Sequence, residues 1–381
     1  MNPTELIGPS SPLGFPAPFW FIEFFKVFGF ILHMVPMNIW FAGMILIMLM
    51  QIFGSENGKK WSARIANQMP VIVASGVNFG IVPLLFTQVA YYRVFYPATI
   101  LMAWPWFAVI VFVTLAYYGV YIYVIGLRNN TMTAVKRLAG WISAVFFIIT
   151  GFIFSNAFSL MVNIGAWEGL WKKTSLGGAL LGTALNIADP TLFPRWLLMF
   201  GLAVMTTAAY TVFDAAYFAG RESEAYKKWV PIFAFKLYTF GMVWFAAMGS
   251  WYVFGTWSEE LRAKMFTAPL LFHTVTTAIC PGLAWLLILA QRKGVARSIA
   301  AFTGIAQVGV LAINAVSRQI VQNTELKKYI DVSAEQVNMQ WSPMITFLVL
   351  FVAGLGVVVW MVSKVVAAER KITAQSSGLS T

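Results

Sequence analysis

The chain has 381 residues, of which 60% are hydrophobic and only 10% charged. A soluble domain carries charge on about a quarter of its residues, so that composition excludes an ordinary globular protein and points to a membrane one. The net charge of +12, from 26 basic and 14 acidic residues, comes with no basic stripe or nucleic-acid motif. It points to membrane topology and anionic lipid head groups, not to nucleic acid. The single cysteine, Cys280, excludes an intramolecular disulfide and any multi-cysteine metal cluster.

Residues 1–18 are Pro-rich and hold no Lys or Arg, and they are expected to lie flat at the membrane interface. The next run is too long, and has the wrong flanks, for a cleavable signal peptide. Apolar length then predicts nine spanning helices near 19–53, 68–96, 98–127, 138–163, 195–220, 230–256, 268–291, 298–322 and 342–365. The fold class is therefore an all-α polytopic bundle over 19–365, with one domain and no obvious repeat. A cytoplasmic tail follows at 366–381, and its end, AQSSGLST, reads as disordered. The connections after the first, third, fifth and seventh spans are the uniformly basic ones, beginning with Lys59, Lys60 and Arg64. The positive-inside rule puts them in the cytoplasm, with the N-terminus outside. Among the outer connections, 164–194 reads as an interfacial helix plus loop, and 323–341 as a short polar helix.

Several polar groups interrupt the apolar runs. Asp214 and Lys236 fall at similar depth on an expected antiparallel hairpin and are expected to pair, as a structural lock or as part of a proton path. Glu23 and Lys26 are three residues apart and share a helix face, reading as an exposed interfacial pair. Arg93 and Arg318 sit at outer helix ends. Their guanidinium forks suit carboxylates such as haem propionates, and topology or lipid contact is the competing reading.

The chain has two histidines, His33 and His273, and both lie in apolar runs. A buried imidazole must find partners for two nitrogens, which is costly in a bundle with no charge nearby in sequence. A neutral ring at such a position suits a haem iron, and a satisfied core histidine is the alternative. His273 has Thr274, Thr276 and Thr277 close by as hydrogen-bond partners, so a role other than ligand comes more easily there.

Three segments together resemble the large subunit of cytochrome bd quinol oxidases. They are His33 followed by Pro36 in the first span, GVNFGIVPLLFTQ at 76–88, and GVLAINAVSRQ at 309–319. The last is similar to the family's Gly–Trp…Glu–x–Gly–Arg–Gln motif, with Arg318 and Gln319 kept. The resemblance implies a nine-helix layout in the cytoplasmic membrane of a prokaryote. It also implies haem b on His33, with His273 near the position of the family's methionine ligand, and Arg318 beside the haem.

The sequence departs from the family pattern at the acids. Val82, Pro83, Leu84 and Leu85 stand where the second-helix glutamate is expected, and Asn314 replaces the eighth-helix one. No histidine lies near Leu198, and the outer quinol-binding loop shrinks to WSEELRAKMF, 257–266. Without those acids, proton delivery to bound oxygen has no obvious carrier. The expectation is a haem b electron-transfer subunit of a respiratory complex, linked to the quinone pool and to membrane or outer-face redox partners. A haem-free anchor or scaffold for such a complex is the alternative, and a transporter built on Asp214 and Lys236 the more distant one.

Overall fold

A chain in hydrocarbon must satisfy its backbone internally, and long uncharged runs do so as helices. The computed structural model describes residues 2–376 and is almost entirely helical. Among the described residues, nine helices are long and apolar enough to cross a membrane.

Helix α1 (Phe19–Phe53) is apolar on all sides and lies at the centre of the bundle. It packs antiparallel on α2 (Glu56–Ala90). The second span was expected to begin at 68, but α2 starts twelve residues earlier. Ser55 caps it by accepting from the Gly58 amide at 3.3 Å, with Glu56 in the first turn. Lys59, Lys60 and Arg64 are thus helical rather than in a loop.

A short helix, α3 (Tyr92–Leu101), precedes the third span α4 (Ala103–Arg128). Then come α5 (Ala134–Val162), the interfacial α6 (Trp167–Lys173), α7 (Leu192–Tyr217) and α8 (Glu224–Ser250). Helix α8 continues into a π-helical turn, Trp251–Thr256. The seventh span is two pieces, α10 (Leu270–Ile279) and α11 (Pro281–Ala290), after a short α9 (Glu259–Met265). Proline at 281 lacks the amide that would carry the first helix into the second.

Helix α12 (Arg297–Leu326) packs on α1, α7 and α11, and α13 (Trp341–Ser376) closes the chain. Helix α13 continues past the expected span limit at 365, so the backbone of 366–376 is helical. Residues 377–381, the end of the expected disordered segment, lie outside the described residues.

At the end opposite the basic connections, the N-terminal segment is clamped by backbone hydrogen bonds to the segment before α13. Phe15 donates its amide to the Gln336 carbonyl at 2.7 Å and accepts from the Asn338 amide at 2.8 Å. The expected outer helix in 323–341 is reduced to the last turn of α12 and a 3-10 turn at Val332–Ala334. The 164–194 connection does contain the interfacial helix expected of it, α6. Its buried Trp167 donates to the Leu160 carbonyl at 2.8 Å.

Candidate functional site

The site is built on a notch in α2. Gly76 and Gly80 are one turn apart and share a face. A Cβ on Gly76 would lie 2.6 Å from Trp40 Nε1, and one on Gly80 would lie 2.9 Å from both His33 Nδ1 and Cε1. Only glycine lets two α1 rings, seven residues apart on one stripe, come this close to the α2 backbone.

The approach fixes the chemistry of His33. Its Nδ1 lies 2.7 Å from the Gly76 carbonyl oxygen, which can only accept, so Nδ1 carries the proton. The lone pair is then on Nε2, which makes no hydrogen bond among the described residues. A backbone carbonyl behind Nδ1 is how proteins fix the tautomer and orientation of a metal-binding imidazole. The same bond also clamps α1 to α2.

Next to this ring lies an excess of positive charge. The Phe30 and His33 rings are 6.4 Å apart. The Arg318 guanidinium sits 4.6 Å from the Phe30 ring and 4.6 Å from the Phe158 ring of α5. Among the described residues Arg318 makes no hydrogen bond and no ion pair, so its five donors have no acceptor there. Lys26 and Arg195 are close enough to act on it electrostatically. Arg195 meets one acid, Glu325, at 3.7 Å, and leaves its Nε buried and unpartnered. Arg195 was not singled out from sequence.

Lys26 is not the exposed partner of Glu23 that the three-residue spacing suggested. It is 7% exposed and donates to Gln319 Oε1 at 2.6 Å and Gln322 Oε1 at 3.4 Å, with its ammonium 4.1 Å over the Tyr91 ring. Glu23 instead accepts from Asn323 Nδ2 at 2.6 Å, and Tyr91 donates to Asn323 Oδ1 at 2.7 Å. Burial, and then the Glu23 carboxylate, push the Tyr91 phenol well above its usual range, so it remains a donor.

The remaining expected residues fall elsewhere. His273 shares its Nε2 with Ser317 Oγ at 2.9 Å, and Thr277 also bonds Ser317 at 2.7 Å. Ser317 and Arg318 project about 100° apart around α12, so His273 faces away from the cluster. Arg93 donates from Nε to the Gly8 carbonyl at 2.7 Å and pairs with Glu335 at 3.5 Å. It ties down the N-terminal segment and lies apart from His33.

Asp214 pairs with Arg64, not Lys236, through two bonds of 3.0 Å, and accepts a third from Gln68 at 2.6 Å. Arg64 also reaches Glu222 at 2.9 Å, and Lys60 reaches Glu222 at 2.7 Å. The expected α7–α8 pair fails because α2 extends far enough to bring its own cations to α7. Lys236 is exposed on the outer face of α8.

Among the described residues no group of three His, Cys, Asp or Glu side chains could hold a bare metal ion. A haem iron needs only one or two axial ligands, and a single imidazole with an unpartnered nitrogen and an unpaired guanidinium near it fits that requirement. Neither a protein-family model nor a curated protein sequence matches the chain.

Proposed function

We propose that this protein is a cytochrome bd-like membrane subunit of a respiratory redox complex, carrying haem b and passing electrons to or from the quinone pool without reducing oxygen. The observation that carries the reading is the unpartnered Nε2 of His33, set by the Nδ1–Gly76 bond, within reach of the unpaired Arg318. Haem, when bound, supplies reversible one-electron chemistry.

The chain's own residues would do the rest. His33 would hold the iron through Nε2, and the Gly76 carbonyl would keep that nitrogen basic and aimed. Arg318 would offer its fork to a propionate, with Phe30 and Phe158 keeping water from its faces. Apolar Val82, Pro83, Leu84 and Leu85 supply no proton carrier on α2. Asn314 is turned to its own helix, donating to the Val310 carbonyl at 2.9 Å. Electron transfer without bond-breaking is the chemistry such a lining favours.

A haem-free anchor is the second reading, favoured by α13. None of its spanning window is fully buried; Phe347 and Phe351 meet the Phe25 ring of α1 at 5.0 and 5.4 Å, and the other sides of the helix stay open to partner subunits. An absorption spectrum separates the two. A reduced-minus-oxidised Soret and α band, lost in His33→Ala and kept in His273→Ala, is expected. A colourless but folded wild-type protein from haem-replete membranes would leave the anchor.

A further inference from the structure

Lys236 lies at membrane depth and points out of the bundle. Helix α8 with its π-turn is 33 residues long, about 50 Å at the helical rise, so about 10 Å extends past a hydrocarbon layer of about 30 Å at each end. Lys236 lies twelve residues into that helix, or about 18 Å along it, which puts its Cα inside the apolar layer. It shares an exposed stripe with Ile232 and Phe240, and it makes no hydrogen bond or ion pair among the described residues. A helical side chain leans toward its helix N-terminus, so the ammonium climbs toward the basic end of the bundle.

Other cations wait at that end. Lys228 sits eight residues before Lys236, a little over two turns and about 80° around the helix. The Arg292 guanidinium, just past α11, lies 5.0 Å from the ring of Phe235, the residue before Lys236. Phe235 in turn packs on Trp285 of α11 at 5.4 Å, and Trp285 donates to Thr239 Oγ1 at 2.9 Å, tying α8 to α11. Lys293 follows Arg292. Among the described residues none of these four cations is paired with a carboxylate. At the same end Lys60, Arg64 and Lys227 all are.

We propose that the seam between α8 and α11 at the basic end binds an anionic phospholipid, its phosphate held between Lys236 below and Arg292 above. A phosphate satisfies both cations at once and removes their mutual repulsion. A carboxylate on a neighbouring helix at the depth of Lys236 would leave Arg292 unpaired. The aromatic pair Phe235 and Trp285, its rings inclined at 42°, gives the glycerol and upper acyl region an apolar wall.

The test uses the full chain in phosphatidylcholine nanodiscs doped with phosphatidylglycerol. Bound lipid is counted by native mass spectrometry, and the melting midpoint is followed. Each cation removed should weaken phosphatidylglycerol binding about five-fold, so Lys236→Met with Arg292→Gln should weaken it about thirty-fold. Lys236→Arg should retain binding. Arg137→Gln, at an exposed cation in the first turn of α5 with no acid partner among the described residues, should leave binding unchanged. Methionine keeps the length of the side chain and suits lipid, so Lys236→Met alone provides the reading if the double variant does not fold. Unchanged phosphatidylglycerol binding in Lys236→Met, or equal wild-type binding of the two lipids, overturns the proposal and leaves a partner helix as what Lys236 faces.

Discussion

The Arg64–Asp214 pair can be tested in a way that separates the structure from the simpler hairpin expectation. Asp214 is 1% exposed, held by two bonds of 3.0 Å from Arg64 and one of 2.6 Å from Gln68. Arg64→Met would leave that carboxylate buried with only an amide donor. Removing one partner of a buried pair costs about 3–5 kcal/mol. Removing both, in Arg64→Met/Asp214→Leu, takes away the stranded charge as well, so the double variant should be more stable than Arg64→Met alone. The resulting coupling energy should be about 2–3 kcal/mol, as for residues in direct contact. The same cycle between Asp214→Leu and Lys236→Met should be additive within about 0.5 kcal/mol, since the two do not touch. Unfolding in mixed dodecyl-sulfate micelles, followed by circular dichroism, gives all six stabilities. Coupling that belongs to Lys236, or an Arg64→Met variant within about 0.5 kcal/mol of wild type, would refute the pairing.

Further predictions follow from the glycine notch and the same charged cluster. Gly76→Ala would place a methyl 2.6 Å from Trp40 Nε1, and overpacking of this kind should cost about 1–3 kcal/mol in the same unfolding assay; an unchanged midpoint would mean the α1–α2 contact is looser. Gly80→Ala meets the His33 ring instead, so it should disturb any His33-dependent absorption band, while Gly282→Ala, which meets nothing within 4 Å, should not. For Glu222, burial alone would raise the pKa, but hydrogen bonds and charge from Lys60 and Arg64 outweigh it and hold the carboxyl below its usual value. A depressed carboxylate stabilises the fold above its unfolded pKa and loses that contribution as pH falls through the folded one. The wild-type midpoint should therefore fall more steeply than that of Glu222→Gln from about pH 5 downward; parallel profiles would remove Glu222 from the network.

Much of the architecture was legible because the bilayer restricts it so strongly. Apolar length alone locates the nine spans, and the run of α1 is found to the residue. What escaped was polar sequence inside helices. The first three turns of α2 hold Glu56, Lys59, Lys60 and Arg64, and they read as a loop because hydropathy cannot tell a capped polar turn from a connection. That one misplacement hid Arg64 from Asp214 and left Lys236, the nearer cation in sequence, as the apparent partner. Lys26 was read as exposed because its three-residue spacing from Glu23 describes one helix surface. Gln319 and Gln322, the groups that hold it, arrive from α12 nearly three hundred residues away.

The candidate site was half visible. His33 and Arg318 stood out as polar groups in apolar runs, and Gly76 and Gly80 as a glycine-rich stretch. That the glycines receive Trp40 and His33 is a matter of helix register, which spacing within either helix cannot supply. His273 and Arg93 have the same residue chemistry as His33 and Arg318, yet their polar atoms meet Ser317 and Gly8, while His33 Nε2 and the Arg318 guanidinium meet no partner among the described residues.

The occupancy of His33 is tested most directly by counting haem per chain with the pyridine haemochrome assay on protein purified from haem-replete membranes. About one haem b per chain is expected in wild type and in His273→Ala, and almost none in His33→Ala. Folded wild-type protein without haem, or haem retained in full by His33→Ala, would contradict the reading of Nε2 as an iron ligand.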